Sequence, residues 1–371
     1  MLARPNYVSL LRMPKPHLAH ITNSAFWRPG NGMWARTRAL ISYLSAQIPT
    51  TIVYLGSLSS ADRQALDTLS TRCRVMATGR EPRSREEMTI RVRTLLTRVS
   101  PTACLIENLD NAYLLDALPA GAIRILDCQD LLSQRTASMA KLGLEPDRAM
   151  DEATERAVIE RFDLVAAIQQ EDFKRINGWN GHAKAILAPH PGRCQPMVLR
   201  PNVTRIGMVA SNFHPNVDGL NHFMQKVWPH LTTKDLQLHL YGNIAAGFRA
   251  IRFRNIHFHG IKPSLQGCYR QLDIVINPVR YGSGLKIKSV EALAHGLPLV
   301  TTREGARGLV HLDGKALAIA DTDTDFAKAI DSLTNDRASR GAMASEGLAY
   351  VAQQLNPAAC FAELTEQILG E

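Results

Sequence analysis

The sequence lacks the long apolar run that a membrane-spanning helix needs. Its longest hydrophobic stretches, around Ile125 and Leu299, fall far short of the ~20 residues required. Near the N-terminus, Pro5, Pro14 and Pro16 interrupt any segment that would serve as a secretory signal. The chain has only 6 cysteines, none of them in a Cys-x-x-Cys pair, so disulfides and structural zinc are not indicated. We therefore expect a cytoplasmic protein with reduced, mostly buried thiols.

Compositional bias is also absent. Of the 371 residues, 45% are hydrophobic and 21% are charged, with 24 glycines and 19 prolines. These proportions exclude a disordered, collagen-like or small disulfide-stapled protein. A chain of this length predicts two globular domains at roughly 150 residues each.

The sequence does carry an excess of positive charge, with 43 lysines and arginines against 34 acidic residues. Arginines are concentrated between residues 72 and 98, where few glutamates oppose them. Residues 84–100 also have the apolar spacing of an amphipathic helix, whose stripe would pack on a sheet and leave the arginines outside. The excess indicates an anionic partner, for which a membrane surface is one candidate. Nucleic acid ranks last, because no recognition motif accompanies the arginines.

Four prolines within residues 189–202 mark a break that neither a helix nor a central strand would tolerate. On both sides of it, short β-branched runs alternate with helical segments, which predicts parallel sheets with helices on both faces. We expect an α/β protein of two doubly wound, Rossmann-like domains facing a cleft. The predicted boundaries are an N-terminal domain at 1–188, a linker at 189–202, a C-terminal domain at 203–355, and a last helix at 356–371 that would cross back to the first domain.

Residues 217–231 show the clearest helical period in the chain. Their apolar positions recur at i, i+3, i+6, i+7, i+10, i+11 and i+14, so they share one face of a helix. We predict a single helix here that buries Val217, Leu220, Phe223, Met224, Val227, Trp228 and Leu231.

Residues 276–302 run from a strand through a glycine-containing turn into a helix. Such a turn lets the backbone approach a ligand closely, and free N–H groups at the helix start attract an anion. Lys288 and Glu291 lie three positions apart, so a cation for a diphosphate and a carboxylate for a ribose would share one face. An ordinary turn before a solvated Lys–Glu pair explains the same residues equally well. The turn and its nearby cations are Arg280, Gly282, Ser283, Gly284 and Lys286.

The segment from Glu291 to Thr302, EALAHGLPLVTT, resembles the donor-binding signature of nucleotide-sugar glycosyltransferases with the two-Rossmann GT-B architecture. It is most similar to the family-4 type, the glycosyl transferases of group 1. Residues 210–231 resemble the family's first strand, loop and helix in the second domain. Residues 21–44 and 124–135 resemble motifs of its first domain. The resemblance implies a metal-independent transferase without a cofactor.

The resemblance also implies roles for individual residues. Lys288 would meet the donor diphosphate and stabilise the leaving charge, and Glu291 would bind the ribose hydroxyls. Gly260 and Ile261 would lie beside the base, while Gly30 and Gly32 would open the first helix toward a phosphate or the acceptor. The remaining donor-binding residues would be Ser211, Asn212, Arg280, Ser283, Gly284, Leu285 and Lys286.

Two positions depart from the family pattern. Many relatives carry Glu-x7-Glu, whose first carboxylate holds the transferred sugar, but Ser283 occupies that place here. Many also carry an arginine and a lysine in the loop after the first strand of the second domain, where this chain has Ser211, Asn212, His214 and Pro215. The contacts to the donor sugar, and a retaining or inverting outcome, therefore stay open.

Asp130 is our candidate for the base that accepts the proton of the acceptor hydroxyl, because it follows a predicted strand and would face the cleft. The alternative is that Asp130 caps the helix that follows it. Asp321, Asp323 and Asp325 imitate a metal-binding motif but precede a helical segment, so we interpret them as helix N-terminal carboxylates. His257 and His259 share a strand face, but no third metal ligand is evident, so we predict no metal.

These features predict a hexosyltransferase-type enzyme that transfers a sugar from a nucleotide-diphosphate donor to an acceptor hydroxyl. The acceptor would be a saccharide or a lipid-linked molecule, in the assembly of a bacterial surface polysaccharide or glycolipid. A nucleotide-sugar 2-epimerase on the same fold and a catalytically inactive binding protein are the alternatives. The location would be the cytoplasm, with an anionic membrane face as a further candidate.

Overall fold

The computed structural model describes residues 15–370 except 29, 31, 69–72, 147 and 249–254. Within that part of the chain, no helix is both long and apolar enough to traverse a bilayer. The first half forms a seven-stranded parallel sheet in the order β3-β2-β1-β4-β5-β6-β7. Its strands are β1 (Leu18–Thr22), β2 (Thr50–Tyr54), β3 (Cys73–Ala77), β4 (Ala103–Glu107), β5 (Ile123–Cys128), β6 (Leu164–Ala167) and β7 (Lys184–Leu187).

Helices cover this N-terminal sheet between its strands. They are α1 (Gly32–Gln47), α2 (Ser60–Asp67), α3 (Arg85–Thr97), α4 (Leu132–Ala140), α5 (Glu152–Ile159) and α6 (Gln170–Gly178), with a 3-10 segment at Leu109–Ala117. The central strands β1, β4 and β6 are buried throughout, as expected where both faces of a parallel sheet are covered.

The second half forms a six-stranded sheet in the order β10-β9-β8-β11-β12-β13, again with parallel pairs. Its strands are β8 (Arg205–Val209), β9 (Gln237–Tyr241), β10 (Ile256–Gly260), β11 (Ile274–Asn277), β12 (Leu299–Thr301) and β13 (Ala318–Ile319). Its helices are α7 (His214–His222), α8 (Leu265–Tyr269), α9 (Ile287–Ala294), α10 (Asp323–Asn335) and α11 (Arg337–Gln354).

Both sheets reverse their strand order at an inner strand, between β1 and β4 and between β8 and β11. Ligands of open α/β sheets bind at such switch points, beyond the carboxyl ends of the strands. The predicted fold class of two doubly wound parallel-sheet domains is confirmed.

The predicted helix over 217–231 is not one regular α-helix. Helix α7 ends at His222, a π-helical stretch covers Phe223–Val227, and a 3-10 turn covers Trp228–His230. Pro229 has no backbone N–H and its ring blocks a further α-helical turn, so the regular helix cannot continue through it. The predicted stripe nevertheless faces inward, because Leu220, Phe223, Met224 and Val227 are buried.

Two stretches of chain pass between the domains. Residues 189–202 have no regular secondary structure, and after α11 the chain returns as α12 (Pro357–Leu369). Helix α12 packs on the N-terminal domain, where Phe361 lies against Tyr43 and Gln367 accepts a hydrogen bond from Lys184. The two crossings touch, since the Gly192 N–H donates to the Leu355 carbonyl at 2.8 Å.

Candidate active site

The loop between β11 and α9 is fixed at its base by hydrogen bonds within the C-terminal domain. Asn277, at the end of β11, donates from Nδ2 to Ser289 Oγ at 2.9 Å and to the Gly305 carbonyl at 3.1 Å. Gly282 and Gly284 have φ of 143° and 66°, which lie in the region that favours glycine. Lys286 occupies the N-cap position of α9 without a side-chain cap. The first-turn N–H groups of α9 therefore have no capping side chain and suit an anion.

Lys288 and Glu291 stand on α9 at this opening, and both are half-buried. Lys288 Nζ donates to Asn216 Oδ1 of α7, and Glu291 Oε2 accepts from the Tyr269 hydroxyl at 2.8 Å. Removal from water lowers the pKa of Lys288 to about 7 and raises the pKa of Glu291 to about 7. Both groups thus change charge close to neutral pH.

The other two cations predicted at this loop are engaged by carboxylates. Arg280 makes a two-point contact with Asp218, at 2.9 Å and 2.8 Å. Lys286 Nζ lies 2.8 Å from Glu304 Oε1 and also donates to the Ser283 carbonyl at 3.0 Å. Each of these cations is therefore largely neutralised by its own domain.

The glycine loop also contacts the N-terminal domain directly. Ser283 Oγ donates to Asp130 Oδ2 at 2.6 Å, and the Gly282 N–H donates to Ser138 Oγ at 3.0 Å. A Cβ added to Gly284 would lie 2.3 Å from the Gln129 carbonyl, so this position tolerates only glycine while the domains are together. The loop is thus shared between the two domains.

The starts of α1 and α9 face each other across the same interface. A Cβ added to Gly32, the first residue of α1, would lie 3.1 Å from the Ile287 side chain at the start of α9. Gly30 is exposed just before α1, with the Trp34 ring occupying its side-chain direction. Two helix N-termini, one from each domain, therefore converge on one place.

Asp130 does not cap α4. The N-cap residue of α4 is Leu131, and the helix start is instead capped by Glu155, which accepts from the backbone N–H groups of Leu132 and Ser133. Asp130 makes an ion pair with Arg135 in addition to its bond with Ser283. The capping alternative is therefore wrong, and Asp130 faces the interdomain cleft.

The loops beyond β8 and β10 hold the remaining predicted residues. The Ser211 carbonyl accepts from Asn216 Nδ2 at 3.0 Å, which ties this loop to the residue that binds Lys288. The Asn212 N–H donates to Asn243 Oδ1 at 2.9 Å. Gly260 ends β10 with φ of 65°, and Ile261 beside it is 61% exposed. Leu285 is buried under the glycine loop, where it acts as packing.

The C-terminal domain matches a known family. Residues 204–336 fit the family described as glycosyl transferases group 1. This stretch is therefore similar to that family, and we call it the group 1 domain below. A D-inositol 3-phosphate glycosyltransferase of Arthrobacter sp. (strain FB24) is 34% identical over 83 residues, 22% of this chain and 20% of the relative. An uncharacterized 44.6 kDa protein in the cps region of Klebsiella pneumoniae is 25% identical over 172 residues, 43% of this chain and 44% of the relative.

The matches to these curated relatives span less than half of each relative's length. Solved structures match nearly the whole chain. Sucrose-phosphate synthase from Thermosynechococcus elongatus gives a TM-score of 0.73 at 13% identity, covering 96% of this chain and 100% of the other. Anabaena Alr3699/HepE, solved with UDP and glucose, gives 0.70 at 14% identity, covering 95% and 98%. WaaG, a glycosyltransferase involved in lipopolysaccharide biosynthesis, gives 0.67 at 13% identity, covering 95% and 100%. These likenesses establish the GT-B fold.

An open cavity of about 830 Å³ lies between the group 1 domain and the N-terminal domain. Side chains of α4 and α6 form one wall, and the loops after β11, β12 and β13 form the other. Arg280, Glu304 and Ser138 place this cavity beside the glycine loop. Its lining includes Gln134, Ser138, Lys141, Glu171, His222, Arg280, Thr302, Glu304, Arg307 and Asp323.

The side chains that imitate metal ligands are explained by local structure. Thr322 caps α10, and Asp323 and Asp325 lie in its first turn, so the interpretation as helix N-terminal carboxylates is confirmed. His259 Nε2 lies 2.9 Å from His239 Nδ1, and the two rings stack. Across the part of the chain that the structure describes, no group of three or more metal-binding side chains is placed to hold an ion.

Sequence reasoning missed the residues that support the site from a distance. Tyr269 donates a hydrogen bond to Glu291, and Ser138 accepts one from the glycine loop, but neither stands in a recognisable motif. Gln129, which contacts Gly284, lies within the segment 124–135 but was not singled out. Arg135 had a weak signal, since it ends the N-terminal segment 124–135 that resembles the family. Its partner Asp130 lies five positions earlier, beyond the i, i+4 spacing that a helix pairs.

Proposed function

We propose that this protein is a metal-independent glycosyltransferase that moves a hexosyl group from a nucleotide-diphosphate sugar to an acceptor hydroxyl. The observation that carries the proposal is the position of Lys288 and Glu291, which lie three residues apart on α9 of the group 1 domain. The start of this helix lies directly opposite the start of α1. A cation, a carboxylate and two helix N-termini together suit a nucleoside diphosphate.

The diphosphate would lie between the starts of α1 and α9. Free N–H groups there and the Lys288 ammonium would stabilise the charge that develops as the diphosphate leaves. Glu291, held by the Tyr269 hydroxyl, would accept hydrogen bonds from the ribose diol. Gly260 and Ile261, at the end of β10, leave open space for the base, next to the loop of Ser211 and Asn212.

Asp130 would accept the proton of the attacking hydroxyl. Its Oδ2 lies 2.6 Å from Ser283 Oγ, so a carboxylate of the N-terminal domain adjoins the donor loop. Asp130 also makes an ion pair with Arg135 of the same domain. Catalysis would then need the two domains together, since the base and the donor loop belong to different domains.

The acceptor would enter through the 830 Å³ cavity, whose walls carry polar and charged side chains of both domains. Such a lining suits a saccharide or the headgroup of a lipid-linked acceptor. We propose that the product belongs to a bacterial surface polysaccharide or glycolipid. Two similar proteins favour this proposal: WaaG is involved in lipopolysaccharide biosynthesis, and the Klebsiella relative is encoded in a cps region.

The decisive experiment is a sugar-transfer assay with a panel of UDP-, GDP- and ADP-sugars and saccharide acceptors. We expect transfer with one donor class, and a raised melting temperature with the matching nucleoside diphosphate. Asp130→Asn should abolish most transfer, but the nucleoside diphosphate should still raise the melting temperature of this variant. Release of a 2-epimerised nucleotide sugar would favour the epimerase, and binding without turnover would favour an inactive binding protein.

We further propose that the N-terminal domain attaches to an anionic membrane face through the arginines of α3 and the segment before it. Met88, Val92 and Leu96 of α3 are buried against the domain, so the helix does not insert its apolar stripe. Arg83, Arg85, Arg91 and Arg93 lie at the outer side, although Arg91 also pairs with Glu87. Arg72 lies outside the described residues.

Co-sedimentation with vesicles of graded phosphatidylglycerol content tests this attachment. Binding should rise with anionic lipid and fall with salt, because each surface arginine contributes up to about 1 kcal/mol. Replacing Arg83, Arg85, Arg91 and Arg93 with Gln should abolish it. The control replaces Arg156 and Arg175, which belong to surface ion pairs of α5 and α6 on the same domain. If the control and the α3 variant sediment alike, the attachment is wrong.

A further inference from the structure

Arg135 of α4 has contacts in both domains. Its Nη2 pairs with Asp130 of its own domain, and its guanidinium carbon lies 5.7 Å from the centre of the Phe213 ring. Phe213 is the N-cap residue of α7, in the loop that follows β8 of the group 1 domain. Arg135 is thus carried by one domain and reaches the other.

The position of Arg135 is defined by two loops of the group 1 domain. On one side Asp130, its ion-pair partner, accepts the hydrogen bond of Ser283 in the glycine loop. On the other side Phe213 directly follows Ser211 and Asn212. The guanidinium therefore lies between the glycine loop and the β8–α7 loop, both of which we assign to the donor.

The guanidinium has unused donor capacity. Its Nε is buried and has no hydrogen-bond partner in the described part of the chain, while Nη2 is bound to Asp130. A guanidinium presents five N–H donors in a planar fork that matches phosphate oxygens. A side chain of this chemistry, one third exposed at the domain interface, suits an anion that enters the cleft.

The free N–H donors of Arg135 matter because two other cations near the glycine loop are already paired with carboxylates. Arg280 is committed to Asp218 by two hydrogen bonds, and Lys286 is committed to Glu304. The β8–α7 loop itself supplies no arginine or lysine, since it consists of Ala210, Ser211, Asn212 and Phe213. Positive charge on this side of the glycine loop thus comes from the opposite domain.

We propose that Arg135 contacts the diphosphate of the bound nucleotide sugar and supplies, from the N-terminal domain, a cation that the β8–α7 loop lacks. The inference rests on the proposed function. It makes nucleotide binding and domain contact mutually dependent, because Arg135 reaches the diphosphate only while Asp130 and Ser283 are together. A purely structural role would instead limit Arg135 to holding Asp130.

Titration calorimetry with nucleosides and nucleotides separates these roles. For whichever of UDP, GDP and ADP binds wild type best, Arg135→Gln should weaken the diphosphate roughly tenfold to a hundredfold, as expected for a lost charged hydrogen bond. The same variant should change binding of the matching nucleoside by less than about twofold, since a nucleoside has no phosphate. Arg135→Lys should fall between wild type and Arg135→Gln.

Two further variants serve as controls. Asp130→Asn removes the partner and frees the guanidinium, so diphosphate affinity should be kept or increased; an equal loss in Asp130→Asn and Arg135→Gln would overturn the proposal. Arg161→Gln removes a surface arginine paired with Asp116 and should leave binding unchanged. If wild type binds a diphosphate and Arg135→Gln binds it equally well, only the role of Arg135 is wrong. If wild type binds none of the three nucleotides, the proposed function fails as well.

Discussion

The carboxyl edges of the two sheets have the same strand arrangement but treat their charged groups in opposite ways. In the N-terminal domain Arg36 and Asp127 pair at 2.5 Å with both side chains fully buried. Glu107 beside them accepts from Ser24 and Thr37. In the C-terminal domain Lys288 and Glu291 are half-buried and have shifted pKa values.

This difference shows what each edge does with its polar groups. The N-terminal edge uses them to hold α1 on the strands, because Arg36 and Thr37 are residues of that helix. The C-terminal edge leaves a cation and a carboxylate half-buried, and under the proposed function these two groups bind the ligand. A shared order of six strands would then support a scaffold in one domain and a binding surface in the other.

The largest expected effect is at the buried pair of the N-terminal edge. Arg36→Met leaves Asp127 as an uncompensated buried charge and should lower the free energy of unfolding by about 3–5 kcal/mol. Chemical denaturation measures it. The double variant Arg36→Met/Asp127→Leu should recover most of the loss. A single variant that loses less than about 1 kcal/mol would contradict the scaffold role of this edge.

Lys288→Ala should reduce activity without reducing the free energy of unfolding. It should lower kcat/KM by roughly 10²-fold through lost stabilisation of the diphosphate. Stability should stay the same or rise, because a cation whose pKa is lowered by burial is removed. Kinetics and thermal denaturation of the same preparation measure both. Unchanged kinetics in a folded variant would remove Lys288 from the site.

Nucleotide affinity should fall as pH rises from 6 to 8, by roughly tenfold. Over this range Lys288, with a pKa lowered to about 7, loses its positive charge, and Glu291, with a pKa raised to about 7, becomes negative. Both changes disfavour an anion. Calorimetry across this range measures the slope, and Lys288→Ala should flatten it relative to wild type. A slope equal in wild type and Lys288→Ala would show that Lys288 makes no contribution to it and would contradict the assignment of Lys288.

The smallest effect is expected at the helix N-caps, of which we compare one from each domain. Ser84 caps α3 and Thr322 caps α10, each accepting from the third backbone N–H of its helix. Ser84→Ala and Thr322→Ala should each lower stability by about 1 kcal/mol and leave activity intact. Calorimetric unfolding measures both. A loss of activity in Thr322→Ala alone would show that the cavity wall beside it has a functional role.

The parts of the fold that follow from local pattern were predictable. The alternation of apolar strands and helices gave both doubly wound sheets, and the spacing of Lys288 and Glu291 gave their common face on α9. The glycines of the β11–α9 loop could also be identified from the sequence. What the pattern did not show is that Gly284 is required for contact with Gln129.

The remaining features depend on contacts between distant residues. Arg280 is paired with Asp218, 62 positions away, so its charge is not free as the sequence suggested. Glu155, 23 positions beyond Leu132, takes the capping role that a short-range rule assigns to Asp130. Such pairings are set by tertiary packing, which overrides the local preference.

The two chain crossings between the domains lie side by side and are joined by the Gly192–Leu355 hydrogen bond. Moving one crossing along the other would break this bond and disturb the contact of Phe361 in α12 with Tyr43 in α1. Gly192 leaves no room for a side chain there, since a Cβ would lie 2.7 Å from Val351. Any side chain at position 192 would therefore push the two crossings apart, at the place where the chain passes between the domain of Asp130 and the domain of Ser283.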